Sequence, residues 1–506
     1  MTVIAIMVVL FLGGIIAWLS EAWNKDWPKW VAAGTCVIAG VVLLPLVYQA
    51  DSLIAFSDAD SSTWIELYEY PWIPRFGIHI LFGLDGLSLL MVGLTIFLGF
   101  VAVVSSWDEI EKSPGFFQFN ILWTLAGVVG VFTSLDMFLF FFFWEVMLIP
   151  MYLLIAIWGH ENRSYASMKF FLFTQLSGLV MLIAILALVI LNGADSGVLT
   201  FNYFELMKHQ LSPDVSYWIM WGFFVAFVVK LPGFPFHSWL PDAHTQAPTA
   251  ASVLLAGILL KTGAYGLLRF TIPLFPEASL QIANIAMTLG VIGIIYGAML
   301  AFAQTDFKRL VAYSSISHMG FVLVGLYAWN ELSIQGSVIQ MVAHGLSTAA
   351  LFMTAGAIQH RLHTRDTRDM GGLWHDMPRM GAVAMFFMVA SLGMPGLGNF
   401  VGEILVLFGT FKVNPPIAVA ASIGLITGAV YALIAMQRVF QGERKLTRNL
   451  RDFGVREMTA MIPLMILLIF LGVYPQPIFD LISPALSNLY STSVNQIPWI
   501  GVSNES

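Results

Sequence analysis

The sequence predicts an all-α polytopic membrane protein with about fourteen transmembrane helices. The chain has 506 residues, of which 58% are hydrophobic and only 10% are charged, and its mean hydropathy is +0.82. Apolar runs near 20 residues recur along its whole length, and a helix of that length crosses a bilayer. Lysine and arginine are also distributed unequally between the two sides of the membrane. When the N-terminus is placed outside, seventeen of the 23 lie on the inside and four on the outside. This asymmetry predicts that both termini face out.

The predicted spans follow from these apolar runs. Their limits are 2–20, 29–49, 83–105, 116–134, 135–158, 167–192, 215–246, 249–270, 280–303, 308–328, 333–359, 380–411, 415–438 and 457–475. The single cysteine, Cys36, lies inside an apolar run. A disulfide framework, a cysteine-ligated iron–sulfur cluster and a cysteine-type zinc site are therefore excluded.

The N-terminal region, 1–115, is predicted to hold the first three spans. The first run has no basic segment before it and no small-residue cleavage site, so we expect a retained span rather than a signal peptide. Residues 50–82 carry acidic and aromatic side chains and are predicted to form an outside loop anchored at the interface. At the other end, 441–506 is predicted to comprise a basic inside loop, the last span and an outside tail.

Residues 116–272 and 277–440 are predicted to be two inverted repeats of five spans. The fourth span of each is interrupted by a Pro-Gly pair, Pro232-Gly233 near 231–235 and Pro395-Gly396 near 394–398. Proline removes a helix hydrogen bond, and glycine permits the distorted backbone that follows. An odd number of spans ends a unit on the opposite side, so the second copy must run inverted. Discontinuous helices in inverted repeats are typical of ion and substrate transporters.

Six ionisable side chains lie near mid-membrane depth on six different spans. Glu145, for example, follows four phenylalanines and lies roughly 15 Å into its span. A charge at that depth is costly and is usually functional. Because the six share one level, we interpret them as a row in the membrane plane along which protons pass. They are Glu145, Lys230, Lys261, His318, His344 and Glu403.

Accessory roles are predicted for a second set of residues. Hydroxyls can bridge neighbouring members of the row, and His237 and His244 flank the second half of span seven on the predicted inside. Making or breaking a Glu145–Lys230 pair is expected to load or release a proton on a neighbour. Asp85, Asp136 and Asp242 lie near span ends, where solvated helix caps suffice to explain them. The bridging candidates are Ser317, Ser347 and Thr348.

Four stretches resemble the antiporter-like membrane subunits of respiratory complex I. The longest is H-S-W-L-P-D-A-H-T-Q-A-P-T-A-A-S-V-L-L-A-G-I-L-L-K-T-G-A-Y-G-L-L-R-F, and the resemblance covers essentially the whole chain. The others are F-F-F-F-W-E-V-M-L-I-P-M-Y, A-Q-T-D-F-K-R-L-V-A-Y-S-S-I-S-H-M-G-F and G-M-P-G-L-G-N-F-V-G-E. The resemblance implies a proton pathway with ionisable groups at the six positions named above.

The same resemblance implies the setting in which the chain works. It implies a multi-pass protein of the bacterial inner membrane, in contact with phospholipid and with two homologous antiporter-like subunits, and no nucleic-acid partner. It also implies that the chain binds no cofactor or metal and is the proton-translocating subunit of an NADH:quinone oxidoreductase. NADH, FMN, iron–sulfur clusters and quinone are then expected in other subunits.

Three other readings of the same residues remain open. A subunit of a multisubunit Na⁺/H⁺ antiporter would share the fold, and cation dependence would separate it. An electron carrier would use His318 and His344 as ligands of one b-type haem, which a Soret band would reveal. A scaffold that only joins its neighbours would tolerate the loss of Lys230.

Overall fold

The computed structural model describes residues 1–56, 63–208, 211–445 and 450–495. Over these residues the protein is almost entirely helical, which confirms the predicted fold class. Twelve helices are long and apolar enough to cross a membrane. Two further predicted spans are each divided into two shorter helices. The total of fourteen spans and the inverted repeat stay predictions.

The N-terminal part contains three long helices and a hairpin. The helices are α1 (Thr2–Ser20), α2 (Trp27–Phe56) and α3 (Gly86–Ser105). Between α2 and α3, strands β1 (Glu66–Ile73) and β2 (Ile78–Leu84) pair antiparallel, with Glu66 opposite Leu84. Within the predicted outside loop over 50–82, α2 continues to Phe56 and the hairpin follows, while 57–62 lie outside the described residues; the side of the membrane on which this segment lies stays a prediction. Neither strand was predicted from the sequence, in which the aromatic side chains of this segment resemble interfacial anchors.

The next helices carry the first set of mid-membrane charges. They are α4 (Pro114–Thr133), α5 (Met137–Trp158), α6 (Arg163–Ser196), α7 (Tyr203–Lys208), α8 (Pro213–Lys230), α9 (Trp239–Gln246) and α10 (Thr249–Leu274). Predicted span seven is thus divided into α8 and α9, with Pro232 and Gly233 in the connection. Helix α10 contains two π-helical stretches, Leu255–Leu259 and Leu267–Thr271, which the sequence did not reveal.

The remaining helices carry the second set of charges. They are α11 (Pro276–Gln281), α12 (Ala283–Ala303), α13 (Phe307–Tyr327), α14 (Glu331–Leu362), α15 (Leu373–Asp376), α16 (Pro378–Ser391), α17 (Gly398–Val413), α18 (Pro415–Val439), α19 (Val455–Val473) and α20 (Gln476–Asn495). Predicted span twelve is divided into α16 and α17. Gly393 and Gly396 in this break have φ of +79° and +91°, a region that glycine enters without strain.

Helix starts and close helix contacts follow from local sequence. Asp306 accepts a hydrogen bond from the Arg309 amide and so caps α13, and Asn414 caps α18 in the same way. Glycines bring α12 and α13 together, since a Cβ at Gly320 would lie 2.7 Å from the Gly290 carbonyl oxygen. This close approach places the polar face of α13 in the centre of the bundle, where α10, α13 and α14 are almost fully buried.

Candidate proton pathway

Lys261 and His344 meet in the centre of the bundle. The Lys261 Nζ lies 2.7 Å from His344 Nδ1 and also donates to the carbonyl of Ala256. Both side chains are fully buried. Ala256 belongs to the π-helical stretch of α10, and such stretches are frequent at functional sites because they redirect backbone groups. The π-helical turn therefore supplies the carbonyl that holds the ammonium beside the imidazole.

His318 is the most connected side chain of the set. Its Nδ1 lies 2.8 Å from Oε1 of Glu403, and its Nε2 lies 3.0 Å from the Ser391 hydroxyl and 3.2 Å from the Tyr431 hydroxyl. The Gln340 amide donates to the same Glu403 oxygen at 2.9 Å. Each of these residues is at most 4% exposed. Both ring nitrogens are thus engaged by protein groups, an arrangement that suits proton exchange better than ligation of haem iron.

The two pairs adjoin one another. The rings of His318 and His344 have centroids 5.7 Å apart and planes tilted by 58°. Lys261, His344, His318 and Glu403 therefore form one line across α10, α14, α13 and α17. We call these four residues the central chain. It joins four helices within the membrane-buried part of the described molecule.

Glu145 and Lys230 form a separate site. Lys230 is fully buried at the end of α8, with its Nζ 5.5 Å from the centre of the Trp144 ring and 5.4 Å from that of Phe170. Glu145 interacts with it electrostatically, but the described residues include no ion pair between the two. Neither Lys230 Nζ nor Glu145 Oε1 has a hydrogen-bond partner among the described residues. The two charged groups are therefore close enough to interact electrostatically but do not form an ion pair.

The two accessory histidines lie in and just before α9, His244 within the helix and His237 two residues ahead of it. His244 is fully buried and stacks on Phe352, with ring centroids 4.4 Å apart. Neither of its ring nitrogens has a partner among the described side chains, and its electrostatic neighbours are Lys308 and Lys261. His237 packs against Tyr296, with ring centroids 5.2 Å apart. His244 therefore lies between a charged group at the membrane edge and the central chain.

Among the predicted bridging hydroxyls, only Ser347 contacts another polar side chain. Asn399 donates to the Ser347 hydroxyl at 3.3 Å. Ser317 donates instead to the carbonyl of Ile294 at 2.9 Å, and Thr348 to that of His344 at 2.5 Å. A hydroxyl that donates to a backbone carbonyl in this way has its hydrogen-bond donor already used. Ser317 and Thr348 do not bridge members of the row in this structure.

Sequence reasoning missed three polar partners of the central chain, namely Gln340, Ser391 and Tyr431. Gln340 precedes His344 by four residues on α14 and so shares its helix face, a signal that was available. Ser391 ends α16 directly before the predicted break. Tyr431 lies within the apolar run of α18, and nothing in its surroundings indicated that its hydroxyl faces His318.

The prediction of solvated caps at span ends was partly wrong. Asp85 and Asp136 do cap α3 and α5, but they are 1% and 0% exposed. Asp85 pairs with buried Arg269, a contact between distant segments that the sequence could not show. Asp242 lies inside α9 and pairs with Lys169 at 2.6 Å and Arg309 at 3.3 Å. These carboxylates hold the fold together as well as ending helices.

Comparison with known proteins identifies the family. Residues 134–428 match the transmembrane family described as NADH:quinone oxidoreductase/Mrp antiporter. The chain is 53% identical to NADH-quinone oxidoreductase subunit M of Pseudomonas aeruginosa over 482 residues, which covers 94% of this chain and 95% of the relative. The chain belongs to this family. It is also 53% identical to subunit M of Escherichia coli strain K12, over 97% of this chain and 98% of the relative.

Solved structures of this family share the fold. A chain of respiratory complex I from Thermus thermophilus superposes with a TM-score of 0.87 at 29% identity, covering 97% of this chain and all of that one. A chain of the Mrp complex from Dietzia superposes with a TM-score of 0.82 at 19% identity, covering 96% and 97%, which shows the fold alone. The family, together with twelve membrane-length helices, makes this chain a multi-pass protein of the bacterial inner membrane.

Proposed function

We propose that this chain is a proton-translocating membrane subunit of an NADH:quinone oxidoreductase. The central chain carries the proposal, because its four titratable side chains lie in hydrogen-bond or ring contact with one another in the buried centre of the bundle. Two relatives with matching length bear the name of subunit M of that enzyme. In this proposal the chain holds no redox centre, and NADH, FMN, iron–sulfur clusters and quinone belong to other subunits.

The proton follows the contacts of the central chain. Lys261 passes a proton to His344 across their 2.7 Å contact, and His318 passes one to Glu403 across 2.8 Å. Between the two histidines the proton crosses a ring-to-ring separation of 5.7 Å, which needs a rotation of one ring or an intervening water. His244 and His237 serve as entrance groups on the predicted inside, and both termini lie outside.

Glu145 and Lys230 control the charge near one end of this line. If the carboxylate and the ammonium approach to ~4 Å, their Coulomb attraction is about 4 kcal/mol at an effective dielectric constant of ~20. The two groups do not pair with each other in this structure, and Glu145 interacts with Gln175 instead, so forming the pair is a change that other subunits can drive. We expect two homologous antiporter-like subunits as lateral neighbours, and phospholipid against exposed apolar side chains such as Leu176 and Ile183 of α6.

The test is Glu145→Ala in membranes that contain the whole complex. NADH-driven proton uptake and quinone reduction are measured together, with the amount of assembled complex as the control. If Glu145 controls the relay, both rates fall while assembly persists. Unchanged rates in this variant and in Lys230→Ala would instead favour a scaffold that only joins its neighbours.

The alternative is a subunit of a multisubunit Na⁺/H⁺ antiporter. The fold shared with the Mrp complex supports it, although the high-identity relatives carry the oxidoreductase name. Reconstituted vesicles separate the two. The oxidoreductase subunit pumps protons in potassium buffer without sodium, whereas an antiporter moves protons only when sodium or a competing cation is supplied.

A further inference from the structure

A small cavity lies beside the central chain, between α13 and α18. It measures ≈ 10 Å³, about the room that one water molecule needs. Gln304, Thr367 and Arg438 line one end, on the face where lysine and arginine concentrate, and Tyr431 lines the other. Arg438 follows Tyr431 by seven residues, so the residues that line the cavity are spread over roughly 10 Å along the helix axis. The cavity therefore lies between the predicted inside face and mid-membrane.

The polar groups of this cavity are not all satisfied by protein. Thr367 is 3% exposed, and its hydroxyl has no partner among the described residues. Buried polar atoms in native proteins are nearly always hydrogen-bonded, to protein or to ordered water. An unpartnered hydroxyl on a cavity of this size is the condition under which a water binds.

Tyr431 connects the cavity to the central chain. Its side chain is 2% exposed and lines the cavity, while its hydroxyl lies 3.2 Å from His318 Nε2. Ser314 and Ser391 are polar neighbours of that hydroxyl. Leu310, Ser314 and His318 are spaced by four residues, so one face of α13 runs from the cavity to the imidazole. Among the contacts of His318 given above, only the one with Tyr431 leads toward the predicted inside face.

We propose that Tyr431 relays protons between a water in this cavity and His318, which gives the second half of the molecule its own access to the inside. The hydroxyl donates its proton to His318 Nε2 and takes one from the cavity water, which regains a proton from water at the inside face. The O–H bonds of Tyr431 and of the water break as an N–H bond forms on His318 and a new O–H bond forms on Tyr431, so Tyr431 ends unchanged. The proposal rests on the proton-translocating function proposed above and adds a residue and a route to it.

The experiment uses Tyr431→Phe in the assembled complex, in inside-out membrane vesicles. The substitution removes the hydroxyl and keeps the ring. NADH-driven proton uptake falls by about tenfold, which corresponds to a barrier higher by about 1.4 kcal/mol. The solvent deuterium isotope effect on the residual rate rises, which a purely structural role would not cause. Tyr327→Phe is the matched control, because Tyr327 is also fully buried and its hydroxyl contacts no described polar group.

Ala435→Phe is a second variant, which fills the cavity and leaves every hydroxyl in place. The same loss in Tyr431→Phe and Ala435→Phe, with Tyr327→Phe unchanged and assembly intact, supports the route. Wild-type uptake in Tyr431→Phe overturns it. If Lys261→Arg loses uptake in that same experiment, the proposed function stands and only this route fails. If Lys261→Arg also keeps wild-type uptake, the proposed function itself has failed.

Discussion

Glu145 owes its position to a glycine on the neighbouring helix. A Cβ added at Gly178 of α6 would lie 2.7 Å from Glu145 Oε1, closer than real Cβ contacts. Because that oxygen ends a flexible side chain, the carboxylate would move while the helices stay packed. The sequence showed the depth of Glu145 but not this contact.

We therefore expect Gly178→Ala to slow proton pumping without loss of assembly. The rate should fall by about threefold to tenfold, which equals a barrier higher by roughly 0.7–1.4 kcal/mol. Proton uptake and complex content in the same membranes check this. Gly293→Ala is the control, because a Cβ at Gly293 meets nothing within 4 Å. Equal rates for the two variants would show that the position of Glu145 does not matter.

Asp136, just before α5, makes stability depend on pH. Burial raises the pKa of Asp136 to about 6, although the His79, Phe138 and Leu139 amides donate to its carboxylate. The unfolded value is about 3.9. Because the folded pKa is the higher one, the stability that this group contributes is complete below the unfolded pKa and is lost as pH rises through 6.

Asp136→Asn removes the charge and keeps an oxygen that accepts the capping bonds. The variant should melt at a higher temperature than the wild type at pH 8, and the difference should shrink toward pH 5. Thermal unfolding of the purified complex at several pH values measures this. A difference that grows as pH falls would contradict the assignment.

At the scale of elements, the basic segment after α18 does more than set topology. Asp452 accepts hydrogen bonds from the backbone amides of Arg379 at 2.8 Å and Met380 at 3.0 Å, and so caps α16 from a distance of more than seventy residues. Arg444 pairs with Asp376 in the same region. The sequence predicts only a basic inside loop at the start of 441–506, and 446–449 of it lie outside the described residues. Charge alone could not reveal these partners.

Asp452→Ala should loosen the first turn of α16, which leads to Ser391 beside His318. A lost cap costs about 1 kcal/mol, so hydrogen exchange of the α16 amides should speed up by about fivefold. Asp369→Ala, at an exposed position on the same face, should leave the exchange unchanged. Unaltered exchange in Asp452→Ala would show that the capping bonds do not stabilise α16.

The sequence predicted membrane helices well where hydropathy alone decides them, and poorly elsewhere. Helices such as α12 and α18 begin and end within a few residues of the predicted limits. The π-helical turns of α10 have no sequence signature that we recognised. Helix α20, predicted as part of a tail, contains proline and too few apolar residues to suggest a span.

At the scale of the whole molecule, the sequence predicted the membrane depth of the ionisable side chains but not which of them contact one another. Counting residues along each span placed all six ionisable groups near one level. It did not show that His318 pairs with Glu403, or Lys261 with His344, because those pairs join helices more than eighty residues apart. The suggested Glu145–Lys230 pair is electrostatic and not a direct contact in this structure. Only the packing of the helices fixes these distances.

The buried pair Arg269–Asp85 illustrates the same point. It joins the start of α3 to the second π-helical stretch of α10, near Trp64 and helix α20. Both side chains are at most 2% exposed. The sequence suggested a solvated cap at Asp85, whereas in the folded chain the carboxylate is buried and ties the start of α3 to α10.

The most direct test of the central chain is Lys261→Arg, assayed for proton uptake per NADH oxidised in sealed membranes. Arginine keeps the positive charge, but its guanidinium does not release a proton in proteins. If Lys261 relays protons, uptake falls to the level of Lys261→Met while the complex still assembles. If Lys261→Arg pumps like the wild type, the charge alone suffices, and the central chain does not carry protons.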